Sequence, residues 1–232
     1  MLICQHQYMR RIIEKFGMSE AKVISRPDTS FAVSSVSRFL NSHTNAHWQA
    51  VKRIYRYLIE TPDYGIYYSN SRSKMQVVGF PDADCTGDLT SRKSKSTTAF
   101  IFLLAGEPVT WTSQKQKVVA LNTTESEYVA ADTAAMDTIL VRKLQGGLGI
   151  NCKEPTTLQN DNQCAIKLLK NPEYHKHTKH INVCYHFLCR KGQCKEIEVV
   201  YVCTKEQLAD LLTKALTKKI VYLCSKLNAV NW

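Results

Sequence analysis

No apolar run in this 232-residue chain approaches the roughly 20 residues that a membrane-spanning helix needs. The opening Met1-Leu2-Ile3-Cys4 gives way at once to Gln5, His6 and Gln7, too short a run for a secretion signal. A soluble intracellular protein, cytoplasmic or nuclear and without membrane contact, is therefore expected. Acid is scarce: 20 Asp and Glu face 31 Lys and Arg, and the net charge of +11 favours a polyanionic partner, nucleic acid first. The excess is spread over both halves, so no separate basic tail does the binding. Only nine glycines and a 44% hydrophobic share exclude a low-complexity or disordered chain and allow a sizeable core. The nine cysteines form no paired framework, which points to reduced thiols. Cys184, Cys189 and Cys194 with His186 lack zinc-finger spacing.

What the chain does have is acid in chosen places. The apolar run from Met75 to Phe80 ends abruptly in Pro81-Asp82-Ala83-Asp84-Cys85-Thr86-Gly87-Asp88. A strand places alternate residues on one face, so Asp82 and Asp84 share a direction at its end. Like charges held that close need a cation, and hard carboxylate oxygens suit Mg2+ or Mn2+. The plainer reading is a turn, since Asp and Gly-Asp pairs favour turns.

Three further carboxylates carry similar alternatives. Glu127 either closes a capping box with Thr124 or, if Thr123 caps the helix, projects toward the sheet, leaving Glu125 in solvent. Asp161 stands between a strand and a helix, a position for an N-cap and equally for a ligand-binding residue of an α/β sheet. Asp210 lies inside a helix whose start is marked by Thr204-x-x-Gln207, so capping does not account for it. Beside Leu208, Leu211 and Leu212 it needs a partner.

Periodicity predicts helices over 5–16, 31–40 and 47–59, the last with a buried stripe of Trp48, Val51, Ile54, Tyr55 and Leu58 opposite Lys52, Arg53 and Arg56. Strands follow at 65–68, 75–84, 97–104 and 108–113. A long helix over 125–148 has Val129, Ala130, Ala134, Met136, Leu140, Val141 and Leu144 as its apolar positions. Then come a strand at 156–161, helices at 162–169 and 182–191, a strand at 196–203 and helical structure over 206–227. This order suits a mixed five-stranded sheet covered by helices.

The segments around Asp82, Glu127, Asp161 and Asp210, with Arg92-Lys93-Ser94, Trp111-Thr112-Ser113, Thr178-Lys179-His180-Ile181, Tyr185-His186-Phe187 and Leu212-Thr213-Lys214, resemble in order and spacing the ribonuclease H domain of copia-type LTR retrotransposon polyproteins. Arg26-Pro27-Asp28 and His47-Trp48-Gln49-Ala50-Val51-Lys52-Arg53 resemble the end of the accompanying reverse transcriptase and its connection. The resemblance implies a small helical appendage over 1–70 and a ribonuclease H domain over 71–232. It further implies that Asp82, Glu127, Asp161 and Asp210 hold two Mg2+ or Mn2+ ions that serve cleavage of the RNA strand of an RNA/DNA hybrid. Arg92, Lys93, Lys95, Lys115 and Lys117 would then meet phosphates. No Tyr-x-Asp-Asp pair occurs, so polymerase activity is not expected.

Four departures support an alternative, a degenerate remnant that binds nucleic acid without cutting it. Phe16-Gly17-Met18 and Arg26-Pro27-Asp28 are nearly adjacent, where the family places several dozen residues between them. Pro81 precedes the first aspartate in what should be a central strand, where it cannot donate to a ladder. Cys85 stands where the family has an aromatic. No histidine lies between Glu196 and Asp210, and His175, His177, His180 and His186 read as loop or helix-end residues.

Overall fold

The computed structural model describes residues 2–3, 26–61, 64–68, 75–85, 95–120, 122–150, 153–170, 182–216 and 219–231. In chain order the elements are β1 (Leu2–Ile3), α1 (Pro27–Ser37), α2 (Asn45–Glu60), β2 (Tyr64–Tyr67), β3 (Val77–Asp84), β4 (Thr97–Leu104) and β5 (Glu107–Lys115). They continue with α3 (Thr123–Gly147), β6 (Thr156–Asn160), α4 (Gln163–Lys170), α5 (Asn182–Gln193) and β7 (Ile197–Tyr201). After a 3-10 turn (Thr204–Glu206) come α6 (Asp210–Thr213), α7 (Lys219–Lys226) and β8 (Ala229–Asn231). The helix expected over 5–16 lies outside the described residues. None of the helices among the described residues is long and apolar enough to cross a membrane.

The chain divides into two units, one from residues 1–72 with 215–232 and one from 73–214. The family resemblance implies one domain over 71–232, whereas residues 215–232 group with the first unit here. The last stretch joins the first unit because β8 pairs with β2, Gly65 opposite Val230, in a three-stranded sheet of order β1-β2-β8. Two- and three-residue strands carry too little periodicity to be read in advance.

In the first unit, α1 starts at Pro27, whose missing N–H costs nothing at a helix N-terminus. The Arg26 guanidinium binds Asp28 through two hydrogen bonds (3.1 and 2.6 Å), donates to the Thr61 carbonyl (3.0 Å) and lies over the rings of Tyr57 and Tyr64. The Tyr57 hydroxyl donates to the same Asp28 at 2.6 Å. This knot ties the start of α1 to the end of α2 and to β2. The stripe expected to be buried on α2 is only partly covered: no residue of α2 is fully buried, and Trp48 is 43% exposed.

The second unit holds the mixed five-stranded sheet expected, in the order β5-β4-β3-β6-β7. β3, β4 and β5 are antiparallel; β6 runs parallel to β3, and β7 parallel to β6. The core joins Val77, Phe100, Phe102 and Leu158 of the sheet to Tyr128, Ala131, Ala134 and Ala135 of α3. The helix therefore buries its small residues. Of the apolar positions read from the sequence, Ala130 and Ala134 are buried while Met136, Leu140 and Leu144 are more than half exposed, because a sheet surface bearing Phe100 and Phe102 leaves room for alanine rather than leucine. At Gly79 a Cβ would sit 2.6 Å from both the Leu158 and Phe102 side chains, so the packing there requires glycine.

Pro81 does sit in the central strand, at no cost in ladder bonds. The β3–β6 pairing covers only Val78 and Gly79. Beyond it the Pro81 carbonyl accepts from Gln207 Nε2 at 3.0 Å. Backbone N–H and C=O of one strand residue point to the same edge, so the absent N–H faces Gln207, away from β4.

Candidate metal centre

Asp82 is the sixth of the eight residues of β3, paired with Ala99 of β4, and is fully buried. Its Oδ2 accepts from the Thr213 hydroxyl of α6 and lies 3.4 Å from Lys214 Nζ. Its Oδ1 is buried without any hydrogen-bond donor among the described residues. Burial pushes this carboxyl up; Lys214 and Thr213 pull it back, Asp210 and Asp161 add to the rise, and the balance stands at about 6.

Glu127 reaches the centre because neither threonine before it caps α3. The N-cap is Asn122, whose side chain accepts from the Glu125 amide at 2.8 Å, so the capping box with Thr124 is not formed. Gln116 pins this end of the helix by donating to Thr98 Oγ1 (2.8 Å) and to the Ser126 carbonyl (2.9 Å). Glu127 is buried and accepts from Asn160 Nδ2 at 3.2 Å. Burial, then Asp82 and Asp161, push its carboxyl up to about 9 against the Asn160 amide and the Ala83 backbone. Glu125, expected in solvent, is buried as well.

Asp161 is likewise released from capping. Asn162 takes that role, its Oδ1 accepting from the Cys164 (3.0 Å) and Ala165 (3.1 Å) amides, and Asn160 Oδ1 accepts from the Asn162 amide at 2.7 Å. Asp161 is left half-buried at the end of β6. Asp82, Glu127 and Asp161 each bring an oxygen into one group whose atoms all lie within 4.8 Å of one another.

The fourth carboxylate stands apart from that trio. The capping box at Thr204 and Gln207 is not formed: Gln207 is fully buried and turned toward Pro81, and the expected helix over 206–227 breaks into α6 and α7. Asp210 opens α6 and binds Lys214 one turn later. Against the pull of burial, Asp82 and Asp210 hold the Lys214 ammonium above the ordinary lysine value. Asp84 is half-buried beside the trio, its carboxyl raised by burial against the pull of Lys214 and Lys115.

Asp84, Glu127, Asp161 and Lys214 line an open cleft of about 570 Å³ with Thr123, Asn162, Gln163 and Tyr201, while Asp82 and Asp210 are buried. Of the residues expected to meet phosphate, Lys95 and Lys117 are exposed. Lys115 donates to the Lys95 carbonyl and faces Thr97, which pairs in turn with Asp84, so this basic edge adjoins the carboxylates. Arg92 and Lys93 lie outside the described residues, as do the side chains of His175, His177, His180 and His186. The sequence assigns Asn160 no role, and Lys214 enters it only within the phrase Leu212-Thr213-Lys214. Asn160 had a signal in the run Asn160-Asp161-Asn162, since three short polar residues at a strand end have capping and orienting work to share.

The donor set fits a hard divalent cation: carboxylate oxygens without histidine or thiol, three carboxyl groups of which two are buried and one half-buried, and a buried Asp82 oxygen lacking a donor among the described residues. Among the described residues Cys85, Cys164, Cys194, Cys203 and Cys224 are free thiols.

No family model matches the sequence. The chain is 39% identical over 207 residues to the retrovirus-related Pol polyprotein from transposon TNT 1-94 of Nicotiana tabacum, a match covering 89% of this chain and 15% of that protein. It is 36% identical over 202 residues to the retrovirus-related Pol polyprotein from transposon RE2 of Arabidopsis thaliana, covering 87% of this chain and 14% of that one. Among solved structures, the foamy viral protease-reverse transcriptase dRH in complex with double-stranded DNA superposes with a TM-score of 0.50 at 11% identity, over 85% of this chain and 35% of that chain. The N-terminal ribonuclease H domain of rv2228c from Mycobacterium tuberculosis gives 0.45 at 10% identity, over 66% of this chain and 98% of that chain.

Proposed function

The chain belongs to the retrovirus-related Pol polyproteins of plant copia-type transposons, of which it spans about a seventh, and on that premise we propose that the unit of residues 73–214 is a metal-dependent ribonuclease H. Its substrate is the RNA strand of an RNA/DNA hybrid, cut internally to leave 3′-hydroxyl and 5′-phosphate ends. The observation that carries this reading is the convergence of Asp82, Glu127 and Asp161 within 4.8 Å around a fully buried aspartate.

In this reading Asp82, Glu127 and Asp161 would hold one Mg2+ or Mn2+, and Asp210 with Asp82 a second. The bound ions supply charge stabilisation for the in-line displacement at phosphorus and make water a better nucleophile near neutral pH. The chain's own contribution is placement. β3 presents Asp82 at the sheet end, Gln116 and Asn122 fix the start of α3, and Asn160 orients Glu127 from the next strand. The basic edge at Lys95, Lys115 and Lys117, with Arg92 and Lys93, would take up backbone phosphates. Recognition then depends on hybrid geometry and 2′-hydroxyls rather than on sequence.

A second reading, a nucleic-acid-binding remnant without cleavage, draws on one observation: Asp210 is engaged by Lys214 instead of joining the trio. End-labelled hybrid incubated with the purified chain and Mg2+ separates the two. The nuclease reading expects fragments from hybrid and none from the matching DNA duplex; hybrid bound but uncut under Mg2+ and Mn2+ supports the remnant.

A further inference from the structure

Among the described residues Lys214 is the lysine that forms ion pairs with Asp82 and Asp210. Its Nζ pairs with Asp210 and lies 3.4 Å from the Asp82 oxygen that also accepts from Thr213. Both aspartates are buried while Lys214 is partly exposed, and it lines the cleft together with Glu127 and Asp161. A cation bracketed by Asp82 and Asp210 stands where those two carboxylates would share a metal ion, and Asp210 is the member missing from the trio.

We propose that Lys214 is a tethered cation occupying the second ion's position, so that Asp210 enters the metal centre only when the Lys214 side chain swings out toward solvent. The inference rests on the metal-centre reading above and assigns Lys214 a role within it. A tethered ammonium neutralises the buried Asp82 and Asp210 in the metal-free protein, where two close carboxylates would otherwise repel. It also acts as an internal competitor: the first ion, at Asp82, Glu127 and Asp161, binds without displacing it, while a second ion must break the Lys214–Asp210 pair. The surface end of the side chain gives it somewhere to go, since a lysine stem can extend with its ammonium into water. The centre therefore fills in two unequal steps, and occupancy of the second depends on free cation concentration.

Calorimetric titration of the full chain with Mn2+ tests this, because binding is read without turnover. The wild type should take one ion tightly and a second more weakly. Lys214→Gln should tighten the second step by at least about tenfold, as expected for removing a unit charge from the position the ion takes, and the first by a clearly smaller factor, since there Lys214 faces only the shared Asp82 and displaces no ion. Lys214→Arg, which keeps the charge, should resemble the wild type, and adding Asp210→Asn to Lys214→Gln should abolish the second step. An unchanged or weaker second step in Lys214→Gln, or equal tightening of both steps, overturns the proposal while leaving a metal centre in place. No Mn2+ binding by any variant overturns the metal-centre reading itself. Should Lys214→Gln fail to fold, the wild type still answers: acylation of Lys214 by an amine reagent, read by mass spectrometry, should rise several-fold once Mn2+ exceeds one equivalent. Labelling that stays constant overturns the proposal.

Discussion

Asn160 Nδ2 donates to Glu127 Oε2 across 3.2 Å, so the last residue of β6 holds a carboxylate presented by the second turn of α3. Both groups are buried, and the bond joins a strand of the sheet to the helix packed on it. Replacing Asn160 by Leu leaves Glu127 without this donor. Because stranding a buried polar group costs about 1–3 kcal/mol, urea unfolding at neutral pH with chelator should show a loss of that size. An unchanged midpoint would mean that the bond contributes nothing.

The same glutamate gives the metal-free protein a definite pH dependence. Its folded-state carboxyl lies at about 9, above its value in the unfolded chain, and Asp82 at about 6 is displaced in the same sense. Between the unfolded and folded values the native state binds more protons, so this contribution is favourable at low pH and is lost as pH rises. Glu127→Gln removes the larger part. The melting temperature of this variant relative to the wild type, in chelator, should rise steadily from pH 5 to pH 9, and saturating Mg2+ should shrink the difference. A difference that falls with pH contradicts the burial of Glu127 as a strained carboxylate.

Gly79→Ala should destabilise. The added methyl would meet Leu158 and Phe102 at 2.6 Å, and both side chains are fully buried in the core cluster. Overpacking of this kind costs about 1–3 kcal/mol, which chemical denaturation resolves readily. A neutral or stabilised variant would show that Phe102 can move.

Pro81→Ser should not strengthen the central strand. With the Pro81 edge facing the Gln207 side chain and the β6 ladder already ended at Gly79, a restored N–H completes no strand pair. Losing the rigid ring relaxes the unfolded chain, so a loss of up to about 1 kcal/mol is expected. A gain of that size would place the absent N–H in a ladder after all.

The mixed five-stranded sheet was legible because β3 and β4 are mostly apolar and β3 ends in acid, and the family resemblance pointed to Asp82, Glu127, Asp161 and Asp210, of which the structure draws the first three together. What could not be read depends on competition among neighbours. Asn122 outcompeted Thr123 and Thr124 for the α3 cap, and Asn162 outcompeted Asp161 for the α4 cap; each is a local choice between similar short polar side chains. The apolar positions of α3 do not by themselves tell which go inside, because size complementarity with Phe100 and Phe102, rather than hydrophobicity, decides that. Gln207 resembled a capping residue, yet it satisfies a carbonyl 126 residues away in the chain, and that partner is invisible to any local pattern.

Asp161 tests the central account most directly. It is the least buried of the trio, so Asp161→Asn should fold as the parent does, and it removes one negative charge facing the nucleic acid. With a labelled RNA/DNA hybrid and Mg2+, the parent should release 5′-phosphorylated RNA fragments, while Asp161→Asn should release none and bind the hybrid as tightly or slightly more tightly. Cleavage by the variant at the parent's rate would contradict the account.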